Sequence, residues 1–343
     1  MTASPLLSIR DLKTYFYTEA GVARSVDGVS FDIGAGETLG IVGESGCGKS
    51  VTALSILRLI QPPGRIEPGS RIEFEGRDIV TLGDEEIRDI RGNRISMIFQ
   101  EPMSALNPVF TVGDQVAEVG RVHAGMSKQA AWDRAVEMLA LTGIPAAEEL
   151  LRIVGLDPHR TLAAYPHELS GGQRQRVVIA MALSRDPRLI IADEPTTALD
   201  VTVQAQVVEL LLGLQSELGF ALILVSHDLA LVSDVADRVA VMYGGQIVET
   251  GSTPDVIEAP AHHYARGLLG SVLSLEGGAE RLTQIRGVVP SPADFPSGCR
   301  FADRCPMATQ VCRDSTPVLE GDEAHRFACH HPAVPEPQKE LAQ

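Results

Sequence analysis

The stretch Thr38-Leu-Gly-Ile-Val-Gly43-Glu44-Ser45-Gly46-Cys47-Gly48-Lys49-Ser50 decides how this chain folds. It opens with TLGIV, an apolar run of the length of one buried strand. It then matches G-x-x-x-x-G-K-[ST] and passes into SVTALSILRLI, which reads as a helix. Between a strand and a helix, such a loop wraps a phosphate. Its glycines let successive backbone N–H groups turn inward, and the helix N-terminus adds positive potential. Lys49 is placed to reach the terminal phosphates of a nucleotide, and Ser50 to ligate Mg²⁺. Cys47 is an interior position presented through its backbone, so its thiol is incidental to that chemistry.

Working outward, Leu189–Ala192 (LIIA) and Phe220–Val225 (FALILV) are two more continuous apolar runs. Continuous rather than alternating runs suit a parallel sheet covered by helices on both faces. The three runs end in GESGCGKS, DEP and SHD, and in open α/β sheets ligands bind beyond the carboxyl ends of the strands. Asp193 and Glu194 close the second run. Alone, such a pair reads equally as a solvated strand end. Beside a phosphate loop, Asp193 is suited to hold Mg²⁺ through its water shell, and Glu194 to polarise a water for in-line attack on a γ-phosphate. Ser170-Gly171-Gly172-Gln173 fits the S-x-x-Q capping box, which predicts a helix from here until Pro187. Its two glycines expose N–H groups at the helix start, a second anion site in a chain that already has one.

The chain has 343 residues and a formal net charge of −16, with 44% hydrophobic and 22% charged residues. That composition excludes a disordered chain or a coiled coil, and the acidity argues against wrapping nucleic acid. No stretch reaches the roughly 18 apolar residues of a membrane-spanning helix. The opening MTASPLLSIRDLK lacks the features of a secretory signal, so a cytosolic location is expected. From about residue 100 to 170 the texture turns helical, as in Gln129–Leu141, and reads as an insertion in the α/β core. After about Gly251 the chain becomes proline-dense, which reads as a separate loop-rich module spanning 251–343 after a domain spanning 1–250.

In this order and spacing, the phosphate loop, Gln100 within IFQEP, LSGGQRQR, LIIADEPTTALD and SHD resemble the nucleotide-binding subunit of an ABC transporter, over roughly residues 6–251. MIFQEPMSALNPVFTVGDQ, AYPHELSGGQRQR and DEPTTALDVTVQAQ most resemble the dipeptide/oligopeptide importer ATPases, a group that includes nickel importers. The resemblance implies a P-loop NTPase core of mostly parallel sheet, an antiparallel β subdomain and an inserted helical subdomain. It also implies roles. Gly43, Glu44, Ser45, Gly46, Cys47, Gly48, Lys49, Ser50 and Val51 would surround the phosphates, with Ser50, Gln100 and Asp193 at Mg²⁺. Gln100 would also contact the attacking water, Glu194 would be the catalytic carboxylate, and His227 would touch the γ-phosphate. Asp200 would belong to the loop that crosses the dimer interface. Adenine would stack on Phe16, with Tyr15 and Tyr17 as competitors, and Val26 would line the nucleotide. Ser170, Gly171, Gly172 and Gln173 would close over ATP bound to a partner subunit, which gives the second anion site a purpose. One departure is the connection TGIPAAEELLRIVGLDPHRTLAAYPHELSGG, longer than usual in the subdomain that receives the membrane subunits.

Cys299, Cys305, Cys312 and Cys329 fall close together near the end. Four thiols in a segment too small for its own core suggest a soft metal, either Zn²⁺ or an iron–sulfur cluster, with free or transiently oxidised thiols as the third reading. Zinc modules usually show tight C-x₂₋₄-C pairs and none occurs here, so the open spacing favours a cluster. Peptide-importer ATPases carry similar segments in which a [4Fe–4S] cluster can be bound. His325, His330 and His331 are substitute ligands or neighbours of the ligands. The expected function is an ATPase energising peptide import at the cytoplasmic face of a membrane. Its expected partners are two membrane permease subunits, a second ATPase chain and an external solute-binding protein. The alternatives are an importer ATPase for nickel or another small solute, and a soluble ATPase acting on nucleic acid or ribosomes.

Overall fold

The computed structural model describes residues 4–101, 105–143, 162–197, 200–276, 285–322 and 324–333. The long connection before LSGGQ falls largely on residues 144–161, outside the described residues, as do residues 198–199 of DEPTTALD. The chain forms two compact units. One comprises Met1–Ser4, Gly34–Glu37 and Thr81–Val225, and the other Pro5–Ile33, Thr38–Val80 and Ser226–Gln343.

In the unit that carries the phosphate loop, the strand Leu7–Thr18 pairs antiparallel with Gly21–Ile33, Gly64–Ile66 and Arg71–Phe74, and Arg71–Phe74 pairs in turn with Arg77–Asp78. This is the antiparallel subdomain that the resemblance implies. Leu7, Ile9 and Leu12 are fully buried along its central strand. The strand Thr38–Val42 is buried at every position and lies parallel to Arg238–Tyr243. Arg238–Tyr243 pairs antiparallel with Gln246–Ser252. The tail then adds two edge strands, His325–Phe327 against Gln246–Ser252 and Glu320–Gly321 against His325–Phe327. The proline-dense tail is thus hydrogen-bonded into the sheet of this unit.

The other unit is built on three parallel strands in the order Ile95–Ile98, Leu189–Asp193, Ala221–Ser226. The last two follow from the apolar runs, and all their residues are buried. Its helices include Val112–Ala124, capped by Thr111 Oγ1 at the Asp114 N–H, and Lys128–Leu141, capped by Ser127 Oγ at the Ala130 N–H. Arg134 fastens the second of these by donating to Asp186 at 2.6 Å and Glu137 at 2.8 Å. The predicted helix after LSGGQ runs Gly171–Leu183 and ends ahead of Pro187. Its last turn closes where Ser184 Oγ returns to the Ala180 carbonyl at 2.8 Å, and Asp186 takes a left-handed φ of 50°. No helix among the described residues is long and apolar enough to cross a membrane.

Candidate functional site

The loop Gly43–Ser50 has the conformation its glycines permit. Gly43, Gly46 and Gly48 have φ of 154°, 80° and 103°. A Cβ on Gly48 would lie 2.3 Å from the Ser25 carbonyl oxygen, and one on Gly43 would lie 2.3 Å from that of Met242, so only glycine fits at either place. A Cβ on Gly46 would meet nothing, so that side of the loop is open. The helix Lys49–Ile56 starts at Gly48 with no side-chain cap. Lys49 is buried, and its Nζ donates to the carbonyls of Gly43 at 2.8 Å and Glu44 at 3.1 Å. Cys47 is buried, and burial pushes its thiol up.

Around this loop, Val26 is fully buried, and the neighbouring Ser25 carbonyl packs against Gly48. The three candidate adenine platforms differ in their engagements. The Tyr15 hydroxyl donates to Asp27 at 2.5 Å, and burial together with that carboxylate pushes its phenol up. Arg65 stands 4.1 Å over the Tyr17 ring, whose hydroxyl donates to Glu67 at 2.9 Å. Phe16 is half-buried, with its ring edge over Gly64, where a Cβ would come within 2.5 Å. Phe16 has no polar partner to release, which suits it best of the three to a stacking role.

In the other unit, Asp193 is buried at the end of its strand, and Glu194 follows with a left-handed φ of 45°. Such backbone strain in a non-glycine residue gathers at functional sites. The Glu194 N–H donates to the Val225 carbonyl at 2.9 Å. Its Oε2 accepts from Gln100 Nε2 and from Thr197 Oγ1, both at 3.0 Å. Gln100 lies just past the strand Ile95–Ile98, and its bond to the carboxylate was not among the roles the sequence suggested for it. Thr197 was not among the candidates, although its place in DEPTT, three residues after the carboxylate in a turn, is a readable signal. Ser170 Oγ accepts the Gln173 N–H at 3.3 Å while Gln173 Oε1 accepts the Ser170 N–H at 2.9 Å, which completes the capping box. Ser170, Gly171 and Gln173 are exposed, and Gly172 approaches Val203 closely. Asp200 caps the helix Val201–Leu218 by accepting the Val203 N–H at 3.0 Å. His227, which belongs to the unit that carries the phosphate loop, is exposed and follows the strand Ala221–Ser226 in the chain.

Cys299, Cys305, Cys312 and Cys329 all line one small cavity of about 10 Å³, together with His262, His263, His330 and His331. Burial, with the neighbouring sulfurs adding to it, pushes the Cys299 thiol up to about 11, and also raises Cys305 and Cys329. Among the described residues, no group of three or more His, Cys, Asp or Glu side chains is gathered closely enough to hold a single metal ion. His325 lies elsewhere: its Nε2 contacts Glu249 at 2.7 Å. His262 and His263, missed in the sequence, sit in AHHY at the start of the helix His263–Glu276, and only the fold brings them to the cysteines.

Residues 26–197 match the family model of the ABC transporter, and residues 248–312 match that of the oligopeptide/dipeptide transporter, C-terminal region. The chain is 49% identical to the probable peptide ABC transporter ATP-binding protein y4tR of Sinorhizobium fredii, over 95% of both chains. It is 48% identical to the oligopeptide transport ATP-binding protein AppD of Bacillus subtilis, over 92% of this chain and 93% of that one. It is 45% identical to the dipeptide transport ATP-binding protein DppD of Escherichia coli, over 95% of this chain and 97% of that one. Among solved structures, the dimeric post-hydrolysis ATP-binding cassette MJ0796 bound to ADP and Pi is similar with a TM-score of 0.61 at 26% identity, covering 72% of this chain and 98% of that chain. The chain belongs to the ABC transporter ATPases, in the branch that carries the oligopeptide/dipeptide transporter C-terminal region.

Proposed function

We propose that this chain is the ATP-hydrolysing subunit of an importer of di- or oligopeptides. The observation that carries the reading is the likeness, over nearly the whole chain and through residues 248–312, to ATP-binding proteins named for peptide transport. In this reading Gly43–Ser50 holds the phosphates of ATP and Phe16 stacks on adenine. Ser50, Gln100 and Asp193 are the Mg²⁺ residues, and their hydroxyl, amide and carboxylate oxygens suit that hard cation. Bound Mg²⁺ would neutralise charge on the β- and γ-phosphates. Glu194, steadied by Gln100 and Thr197, orients and deprotonates the attacking water, and His227 contacts the γ-phosphate. Ser170–Gln173 closes over ATP held by the partner ATPase. The chain works at the cytoplasmic face with two permease subunits, a second and non-identical ATPase and an external binding protein.

The cysteine cavity suits a [4Fe–4S] cluster by donor chemistry, with Cys299, Cys305, Cys312 and Cys329 as ligands. Four soft donors face one cavity, and a cationic centre bound there would offset the burial that raises Cys299, Cys305 and Cys329. Such a cluster would cross-link the tail.

The test is uptake into ATP-loaded proteoliposomes holding the assembled transporter, with radiolabelled dipeptide or nickel supplied alongside the binding protein. Dipeptide uptake is expected. Nickel uptake alone would transfer the reading to a metal importer. ATP hydrolysis stimulated by RNA or ribosomes, and not by the permease subunits, would overturn the importer reading.

A further inference from the structure

Glu44 is the second residue of the phosphate-binding loop, and phosphate chemistry alone has no use for a carboxylate there, because an unpaired anion repels the nucleotide. Two residues of the C-terminal region hold it. Tyr264, in the helix His263–Glu276, accepts the Glu44 N–H on its hydroxyl at 2.7 Å, so this amide points to the tail. Arg304 grips the carboxylate with both arms, Nη1 to Oε2 at 2.6 Å and Nη2 to Oε1 at 2.9 Å. The Arg304 side chain is only 5% exposed, against 32% for Glu44. Every other donor of its guanidinium is engaged. Nε donates to the Arg286 carbonyl at 2.8 Å, Nη2 to that of Gly287 at 3.3 Å, and Nη1 to the Tyr243 hydroxyl at 3.3 Å. Tyr243, Tyr264 and Phe301 pack against one another below it, with ring centroids 4.6 to 5.4 Å apart. The backbone of the cysteine segment presents the arginine: the Arg304 and Cys305 N–H groups both donate to the Phe301 carbonyl at 3.0 Å. A part-buried two-armed pair of this kind is directional as well as strong.

We propose that Arg304 is a positioning residue for nucleotide binding: it cancels the charge of Glu44 and clamps the first turn of the phosphate-binding loop, so that the C-terminal segment sets the affinity of the loop for ATP. The Glu44 carbonyl, held in the same turn, is one of the two that receive Lys49, so the clamp also bears on the lysine's resting place. The proposal rests on the reading of Gly43–Ser50 as the ATP phosphate site.

The test uses the full chain assembled with its membrane partners, and measures the equilibrium Kd for MgATP together with kcat and KM for hydrolysis. Arg304→Met is expected to raise Kd and KM about tenfold while kcat at saturating ATP stays within about twofold. Since the loss comes from an unpaired carboxylate, the Glu44→Gln/Arg304→Met double variant should bind within about threefold of Glu44→Gln alone. Arg304→Lys, which keeps the charge and loses the fork, should fall between. The Arg304→Met defect should also shrink as salt is raised. A double variant as weak as Arg304→Met would overturn the proposal, as would a salt-independent defect or unchanged Kd in Arg304→Met. If Arg304→Met does not fold, Arg304→Lys and the double variant carry the same comparison. Lys49→Ala run alongside separates the two readings: undiminished ATP binding there would mean that the phosphate-site assignment itself has failed.

Discussion

Gln100 Nε2 donates to Glu194 Oε2 across 3.0 Å, and Thr197 Oγ1 donates to the same oxygen at 3.0 Å. Two donors on one carboxylate oxygen hold the Glu194 side chain in one orientation. Glu194→Gln should therefore lower kcat by at least about a hundredfold, the usual scale for loss of a general base, with Kd for MgATP nearly unchanged. Steady-state hydrolysis and nucleotide titration of the same preparation check this, and hydrolysis at the normal rate would refute the role assigned to Glu194. Thr197→Val, which removes one donor, is expected to cost about tenfold in kcat.

The loop glycines should separate by position. Gly48→Ala places a Cβ 2.3 Å from the Ser25 carbonyl at a φ of 103°, whereas Gly46→Ala points into open space at a φ of 80°. The first should abolish ATP binding and destabilise by more than about 2 kcal/mol, and the second should cost about 1 kcal/mol of stability. Urea unfolding of both variants without nucleotide gives the comparison, and equal losses would contradict the geometry.

Ser170→Ala removes an exposed helix cap, with an expected loss of about 1 kcal/mol measured by thermal or chemical unfolding. In the proposed two-ATPase assembly it should also reduce hydrolysis while leaving ATP binding to the chain's own loop intact. Full hydrolysis by the assembled variant would confine Ser170 to capping.

Anaerobically purified protein should contain about four irons with matching acid-labile sulfide, lost on Cys305→Ser. Zinc, or no metal, would sink the cluster and leave the ATPase assignment untouched.

Much of the fold was legible because its decisive signals are local. Thr38–Val42 forms a strand with the bounds read from TLGIV, while Leu189–Ala192 extends to Asp193 and Phe220–Val225 shifts to Ala221–Ser226. Hydropathy marks where a strand is buried, but its ends are set by pairing, and Asp193 stays in the ladder because it lies opposite Val225. The capping box at Ser170 was readable for the same reason, since donor and acceptor lie three residues apart. Helix length was less readable: Pro187 sets an outer limit, but the Ser184 hydroxyl closes the helix at Leu183. Among the adenine candidates, Tyr15, Phe16 and Tyr17 are equivalent as aromatics in one strand. The bond to Asp27 and the cover of Arg65 distinguish them, and both depend on other strands.

By itself the sequence determined the phosphate-binding loop, the capped helix start, the carboxylate at its strand end and the family, because each is written within a few consecutive residues whose backbone geometry is intrinsic. Only the tertiary structure decided what surrounds them. Arg304 meets Glu44 across a separation of 260 residues, His262 and His263 join the cysteines in place of His325, and the tail becomes an edge of the sheet that carries the loop. Such pairings depend on which buried charges and unpaired strand edges the rest of the chain leaves unsatisfied, and no local pattern encodes them.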